Sequence, residues 1–181
     1  MRTIGIAKES DFGEILSVLS SSCFAAKLPE PNDLLQSIPE YLSAERILVS
    51  KEHGRILAFA IVEPDVATLL FPLSHSFSKT TEVLESIGRP EGNVVGLYGI
   101  YVDGTLLHQG IGKELISAAL ARYKGYGWVT FVEGENPDAI RFFKGRGFVF
   151  LPGDHHLEMS GNGTVWAKPN LPKGICREGY W

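Results

Sequence analysis

Gly99-Ile-Tyr-Val-Asp-Gly-Thr-Leu-Leu-His-Gln-Gly-Ile-Gly-Lys-Glu-Leu115 is the stretch on which the reading of this chain turns. Upstream, Val94 to Val102 is an apolar, strand-like run. Downstream, Gly110 and Gly112 open an amphipathic helix whose apolar side carries Ile111, Leu115, Ile116, Ala119 and Leu120. A strand, a glycine turn and a helix start leave backbone N–H groups facing outward, and the helix dipole adds positive potential there. A phosphate or pyrophosphate is the guest such a turn suits. Two common phosphate motifs are excluded by spacing. A dinucleotide fingerprint needs a third glycine where Leu115 stands, and a P-loop needs glycine at Leu107 and Ser or Thr at Glu114.

Working outward, the chain has 181 residues, 44% hydrophobic and 21% charged, which suits one globular domain with a real core. A net charge of -4 lacks the basic footprint of a nucleic-acid binder. The two cysteines, Cys23 and Cys176, have no metal-like spacing, so a reducing compartment is the default. No basic-then-apolar leader opens the chain, and no apolar run reaches the roughly 18 residues of a membrane span. The expectation is a cytoplasmic protein with neither membrane nor nucleic-acid partners.

The flanking elements are read from periodicity. Thr3 to Ala7 is a short edge strand. Ser10 and Asp11 cap a helix to about Phe24, with Phe12, Ile15, Leu16, Val18 and Leu19 on its buried side. After a proline-rich break, a second helix runs from Asp33 to about Ser43, bent or shortened at Pro39. Arg46 to Ser50 and Arg55 to Glu63 form a hairpin across Glu52-His53-Gly54, and the nearly continuous apolar second strand lies centrally in a sheet. An insertion of about 64–93 follows, with a helix from Ser78 to Ile87. Past the glycine-turn helix come a strand from Trp128 to Glu133 and a helix capped by Asn136, with Pro137 at its first position. Strands at Gly147–Leu151 and Thr164–Lys168 complete the domain, 1–168, and 169–181 is a surface-wrapping tail. The element order describes an α/β domain, with hairpin-joined strands first and strand–helix–strand crossovers later.

Two local patterns in this order resemble the GNAT superfamily of acyl-CoA-dependent N-acyltransferases. Its phosphate-binding pattern, Val-x-Pro-x-x-(Arg/Gln)-x-x-Gly-x-(Gly/Ala), falls in register on Val102 to Gly112. Its second pattern, Asn-x-x-Ala-x-x-Phe-Tyr-x-x-x-Gly-Phe, falls on Asn136, Ala139, Phe142, Phe143, Gly147 and Phe148. The resemblance implies a three-layer fold, with a central mixed, mostly antiparallel sheet, a splayed parallel strand pair and helices on both faces. It implies acetyl-CoA as cosubstrate, no metal, and a small-molecule or peptide amine as acceptor, in a monomer or homodimer. The CoA residues so implied are Ile100, Tyr101 and Val102 on the strand, Leu107, His108, Gln109, Gly110, Ile111, Gly112 and Lys113 in the loop, and Asn136 and Phe143 downstream.

Three positions depart from the pattern. Gly104 stands for proline, Leu107 for Arg or Gln, and Phe143 for the tyrosine that protonates the departing thiolate. The loop's grip is mainly backbone, so the first two departures leave binding in place. Phe143 has no proton to give. The direct-attack chemistry of the family asks for oxyanion donors, which the resemblance places at the backbone near Ile100 or Tyr101 beside a bulge at Gly99. It also asks for proton acceptors and donors. Glu63, at a strand end, is the candidate base, and Tyr98 and Tyr101 are candidate replacement acids. His75, His155 and His156 enter only if their loops cover the cleft, and adjacent histidines make a poor metal pair. The alternative function is a non-catalytic CoA-binding sensor or interaction domain.

Overall fold

His53 and Gly54 both take positive φ, 51° and 81°. That is the geometry of a type I′ turn, whose twist matches that of an antiparallel strand pair. The turn joins strand β2 (Ile47–Glu52) to strand β3 (Arg55–Glu63), with Glu52 opposite Arg55, so the expected hairpin is present. These elements belong to a computed structural model that describes residues 1–22, 31–64, 94–133, 136–150 and 163–168. The residues fall into two compact units, Met1–Pro64 with Gly96–Lys124 and the remainder.

In the first unit, β1 (Arg2–Ile6) lies antiparallel to β2 at the sheet edge. Strand β4 (Val94–Val102) lies antiparallel to β3 on the other side. Strand β3 is buried at every position from Ile56 to Glu63, because both of its faces are covered. Helices α1 (Phe12–Ser21) and α2 (Pro31–Ser43) pack Ile15, Val18, Leu19, Leu34, Ile38 and Leu42 against Ile47, Val49, Phe59, Ile61 and Tyr101. Alternation turns Ala58, Ala60 and Val62 to the opposite face. Helix α3 (Ile111–Arg122) packs on β3 and β2 through buried Leu115, Ile116 and Ala119.

Helix α2 starts at Pro31, two residues before the expected Asp33, and continues through Pro39 to Ser43. Proline suits a first helical position because the N–H it lacks has no intrahelical acceptor there. An interior proline costs about 3 kcal/mol. Burying Leu34, Ile38 and Leu42, at about 1.5–3 kcal/mol each, offsets that and holds the helix together.

Helix α1 stops at Ser21, short of the expected Phe24. Ser22 is extended (φ -69°, ψ 147°), and its hydroxyl donates to the Leu19 carbonyl at 2.8 Å. Phe12 was expected on the buried side and is instead 37% exposed, so the buried stripe begins one turn later at Ile15. Asp11 does not cap α1 with its side chain. Its Oδ2 accepts the Lys8 N–H at 2.9 Å, and its Oδ1 accepts Lys51 Nζ at 2.6 Å. Burial pushes this carboxyl up, but the bonds from Lys51 and Lys8 and their charge outweigh burial and hold it below its usual value.

The second unit contains β5 (Gly127–Glu133) and β7 (Gly163–Lys168), antiparallel with Trp128 opposite Lys168 and Glu133 opposite Gly163. A two-residue β6 (Val149–Phe150) joins the other side of β7. The sequence places the start of β6 at Gly147. That residue has φ 78° and closes the turn after helix α4 (Pro137–Lys144), so extended backbone begins only beyond it. The expected helix Ser78–Ile87, most of the 64–93 insertion, Cys23, Cys176 and the 169–181 tail lie outside the described residues.

Candidate functional site

Strand β4 hands the chain to α3 through a short, tightly tied loop. Asp103 ends the strand with its side chain buried, and Oδ1 accepts both the Thr105 N–H at 3.0 Å and the Thr105 hydroxyl at 2.8 Å. Arg55 donates to Oδ2 at 2.7 Å. The Thr105 bonds, backbone first, and then the Arg55 charge hold the Asp103 carboxyl below its usual value against the opposing effect of burial. A single turn of 3-10 helix, Gly104–Leu106, is capped in this way. Gly104 lies against the carbonyl of Ser21 at the end of α1, where any Cβ would collide. That contact explains why glycine replaces the proline of the resembled pattern: proline carries the same Cβ.

The loop then turns outward. Leu107, His108, Gln109 and Gly110 are exposed. His108 and Gly110 take left-handed backbone, φ 63° and 80°. A Cβ at Gly110 would meet nothing within 4 Å, so conformation rather than space calls for glycine there. Helix α3 makes its first internal bond from the Glu114 N–H to the Gly110 carbonyl at 3.0 Å. The amides of Ile111, Gly112 and Lys113 precede that bond and have no intrahelical acceptor. Glu114 is the acidic residue of this first turn, and Arg2 on β1 meets it at 2.9 Å. An outward-facing amide row, a left-handed glycine and a neutralised neighbouring acid together fit an anionic ligand.

One step along the sheet, β4 carries a β-bulge. Ile61 faces Gly99 while Val62 faces Leu97, so one β3 step is matched by two β4 steps, with Tyr98 inserted. The bulge expected at Gly99 is therefore real and centred one residue earlier. It also shifts the alternation and re-aims Tyr101, which lies opposite Phe59 and stacks on it (centroids 4.7 Å apart, planes at 20°). Gly99 has no Cβ because the Tyr101 ring folds back to within 2.7 Å of where one would sit.

The candidate acids and base now separate. Tyr101 is 4% exposed within the core that α1 and α2 cover, whereas Tyr98 is 40% exposed. Glu63, the candidate base, is 2% exposed, and Arg46 donates to its Oε2 at 2.7 Å. Tyr41, on α2, lies beside Tyr98 with ring centroids 6.0 Å apart. Arg46, Tyr41 and Arg2 were missed by sequence reasoning. The Arg46–Glu63 pair had a readable signal, since the turn at His53-Gly54 registers the hairpin so that Arg46 falls beside Val62, whose N–H donates to its carbonyl at 2.9 Å. Tyr41 and Arg2 come from distant segments and left no local trace.

In the second unit, the Asn136 side chain accepts the Ala139 N–H at 3.0 Å, so it caps α4, as its position suggested. Phe143 is 8% exposed, edge-on to Phe142 and Phe148 at 5.2 Å each. His75, His155 and His156 lie outside the described residues. Among the described residues no group of three or more His, Cys, Asp or Glu could hold a metal, and no helix is long and apolar enough to cross a membrane.

Residues 13–148 match the model of the acetyltransferase (GNAT) family. No curated protein matches the chain significantly by sequence. Several solved structures are similar to it. A GNAT-family acetyltransferase from Bacillus cereus is 14% identical over 95% of this chain and 99% of its own, with a TM-score of 0.66. A PaiA N-acetyltransferase from Thermoplasma acidophilum, in complex with coenzyme A, is 16% identical over 93% and 99%, with a TM-score of 0.62. A mosquito arylalkylamine N-acetyltransferase-like protein is 9% identical over 93% and 99%, with a TM-score of 0.66. At such identities the likeness shows the fold, which is the α/β architecture implied by the two sequence patterns.

Proposed function

Since the chain belongs to the acetyltransferase (GNAT) family, we propose that it transfers the acetyl group of acetyl-CoA to a primary amine of a small molecule or peptide. The observation that carries this is the amide row opening α3 behind the left-handed Gly110, in register with the family's phosphate pattern. In this reading the pyrophosphate of CoA rests on the amides around His108 to Lys113, with Gln109 and Lys113 flanking it. The coenzyme A in the similar Thermoplasma structure supports the choice of ligand. Ile100, Tyr101 and Val102 line the acyl arm, and the bulge turns backbone N–H toward the thioester carbonyl as oxyanion donors. Asn136 and Phe143 contact the pantetheine in the same reading.

The neutral amine's lone pair attacks the carbonyl carbon, a C–N bond forms and the C–S bond breaks; the acylated nitrogen gives up one proton to solvent, and the thiolate takes one up. Phe143 cannot supply that proton. Of the two tyrosines on β4, Tyr98 is the exposed one, at 40%, and is the proposed acid, while Tyr101 is a packing residue whose backbone serves the site. Glu63, paired with Arg46, is a fixed negative charge in this proposal.

The test is release of free thiol from acetyl-CoA against a panel of amines. Amine-dependent release is expected. Thermal stabilisation by CoA with no release for any amine would instead support a non-catalytic CoA-binding domain, the reading that the phenylalanine at Phe143 favours.

A further inference from the structure

The free side of β1 has the makings of a strand-pairing surface. Ala7 continues the β1 register one step past Ile6, and its N–H donates to the Ile47 carbonyl at 2.8 Å. Bonded positions alternate in an antiparallel ladder. Ala7, Gly5 and Thr3 therefore aim their N–H and C=O groups at β2, and Ile6, Ile4 and Arg2 aim theirs away from the sheet. β1 is the last strand on that side, and among the described residues no other strand meets those outward groups. The side chains alternate as well. Arg2 reaches Glu114 on α3, which places Ile4 and Ile6 half-buried on the α3 side, while Thr3 and Gly5 are exposed on the other. Edge strands are normally guarded by proline, lysine or a bulge. β1 has none of these: it reads Arg-Thr-Ile-Gly-Ile, its register with β2 is unbroken, and its one charge is already engaged by Glu114.

We propose that this edge is a self-association surface, on which β1 of a second copy lies antiparallel across a two-fold axis at Ile4. The choice of occupant follows from the strand's own symmetry. The outward backbone groups at Arg2, Ile4 and Ile6 are evenly spaced about Ile4. Reversing the strand about that residue sets Arg2 against the partner's Ile6, Ile4 against the partner's Ile4, and Ile6 against the partner's Arg2. Such pairs exchange both N–H···O bonds, so every outward donor and acceptor of the strand is answered. On the α3 side Ile4 packs on the partner's Ile4, covering apolar surface that a single chain leaves half-exposed. On the other side Thr3 faces the partner's Gly5, where even a Cβ would meet nothing within 4 Å, so the approach is open. Charge permits the pairing too. Arg2 and the partner's Arg2 lie four strand steps apart, about 13 Å, beyond the screening length of about 8 Å. The inference does not depend on the acetyltransferase reading.

Sedimentation velocity over a range of protein concentrations, with amide hydrogen exchange at the two ends of that range, tests the pairing. A concentration-dependent dimer is expected. In it the amides of Ile4 and Ile6 should gain at least about tenfold protection, while those of Thr3 and Gly5, already bonded to β2, stay unchanged. Ile4→Pro removes an outward N–H without touching the β2 ladder, and should give a folded monomer. Ile4→Cys covers the case in which the fold rejects proline. Its Cα would lie about 5.5 Å from the partner's equivalent, within disulfide range. In a Cys23→Ser, Cys176→Ser background, mild oxidation should crosslink Ile4→Cys and should not crosslink Thr3→Cys, which has no Cys opposite it. A dimer that survives in folded Ile4→Pro, equal crosslinking of the two cysteine variants, or none in Ile4→Cys would overturn the proposal. So would a monomer at every concentration, and one whose Ile4 and Ile6 amides are already protected would assign the edge to another segment of this chain.

Discussion

Replacing Gly110 by aspartate separates anion binding from folding at one position. With φ at 80°, a side chain there costs about 1–2 kcal/mol in left-handed backbone. No steric term adds to this, because the Cβ meets nothing within 4 Å. Aspartate is among the residues that tolerate this region, and a carboxylate at a helix N-cap returns about 1 kcal/mol. The fold should therefore change in stability by no more than about 1 kcal/mol. A bound pyrophosphate carries about two negative charges. At 4 Å the new carboxylate repels them by about 2 kcal/mol even at bulk-water screening, and by severalfold more at the effective dielectric of a protein surface. CoA affinity should fall at least about thirtyfold. Gly110→Asn takes the same backbone and cap without the charge, and should stay close to wild type. Isothermal titration with CoA, alongside thermal melts of the free proteins, reads both quantities. Because the site is exposed, about 1 M salt should restore part of the lost affinity. A folded Gly110→Asp protein that binds CoA within about threefold of wild type would refute the phosphate assignment. Equal losses in the Asp and Asn variants would show that geometry, not charge, is at issue.

Other consequences are more local. Gly104→Ala drives a Cβ into the Ser21 carbonyl, and a loss of about 1–3 kcal/mol should show as a lowered Tm; Gly13→Ala, in α1 with open space around it, should instead raise Tm slightly. Asp103 has a folded pKa depressed below its unfolded value. The stability it contributes is therefore complete above the ordinary carboxylate range near 4 and is lost as pH falls through the lower folded value. In Asp103→Asn that portion of the acid slope should vanish from melts between about pH 2 and 6, and an unchanged slope would mean the carboxylate is not so held. Phe143→Tyr restores the hydroxyl of the resembled pattern at a ring packed edge-on to Phe142 and Phe148. CoA stabilisation should persist and amine-dependent thiol release should rise, whereas reduced CoA affinity would show that this pocket is shaped for phenylalanine.

The backbone plan was legible because it is written in short-range signals. The apolar run from Ile56 to Val62 could only be a strand covered on both faces, and His53-Gly54 could only be a tight hairpin turn. The glycine turn proposed as the phosphate cradle was equally local, since strand, loop and helix N-terminus lie within twenty residues of one another. Errors arose where distant partners decide. Asp11 looked like a helix cap until Lys51, forty residues away, drew its carboxylate aside. Pro39 does not shorten α2, because burial of Leu34, Ile38 and Leu42 against the sheet holds the helix together to Ser43. The site followed the same division. The main-chain geometry of the candidate site was visible from glycine spacing, while Tyr41 beside Tyr98 and Arg2 beside Glu114 come from other segments and have no pattern of their own.

The same division accounts for the departures from the family pattern. Where proline usually stiffens the turn after β4, this chain has Gly104, pressed against the α1 terminus. The stiffening passes to Asp103, which ties Thr105 and Arg55 into the turn. Where Arg or Gln usually adds polarity to the loop, Leu107 adds none, and Arg2 instead neutralises the acid beside the helix N-terminus. In the proposed site each exchange would keep a requirement, a fixed turn or a favourable potential, and move its supplier from the local motif to a tertiary neighbour. Tyr98 is the corresponding candidate for the proton that Phe143 cannot give: it stands on the bulge that shapes the strand and is partly exposed. If the pattern holds at this third position, Tyr98→Phe should lower kcat while leaving CoA binding intact, and Phe143→Tyr should rescue that loss in the double variant. Two independent losses, with no rescue, would mean that the two hydroxyl positions do not serve the same proton.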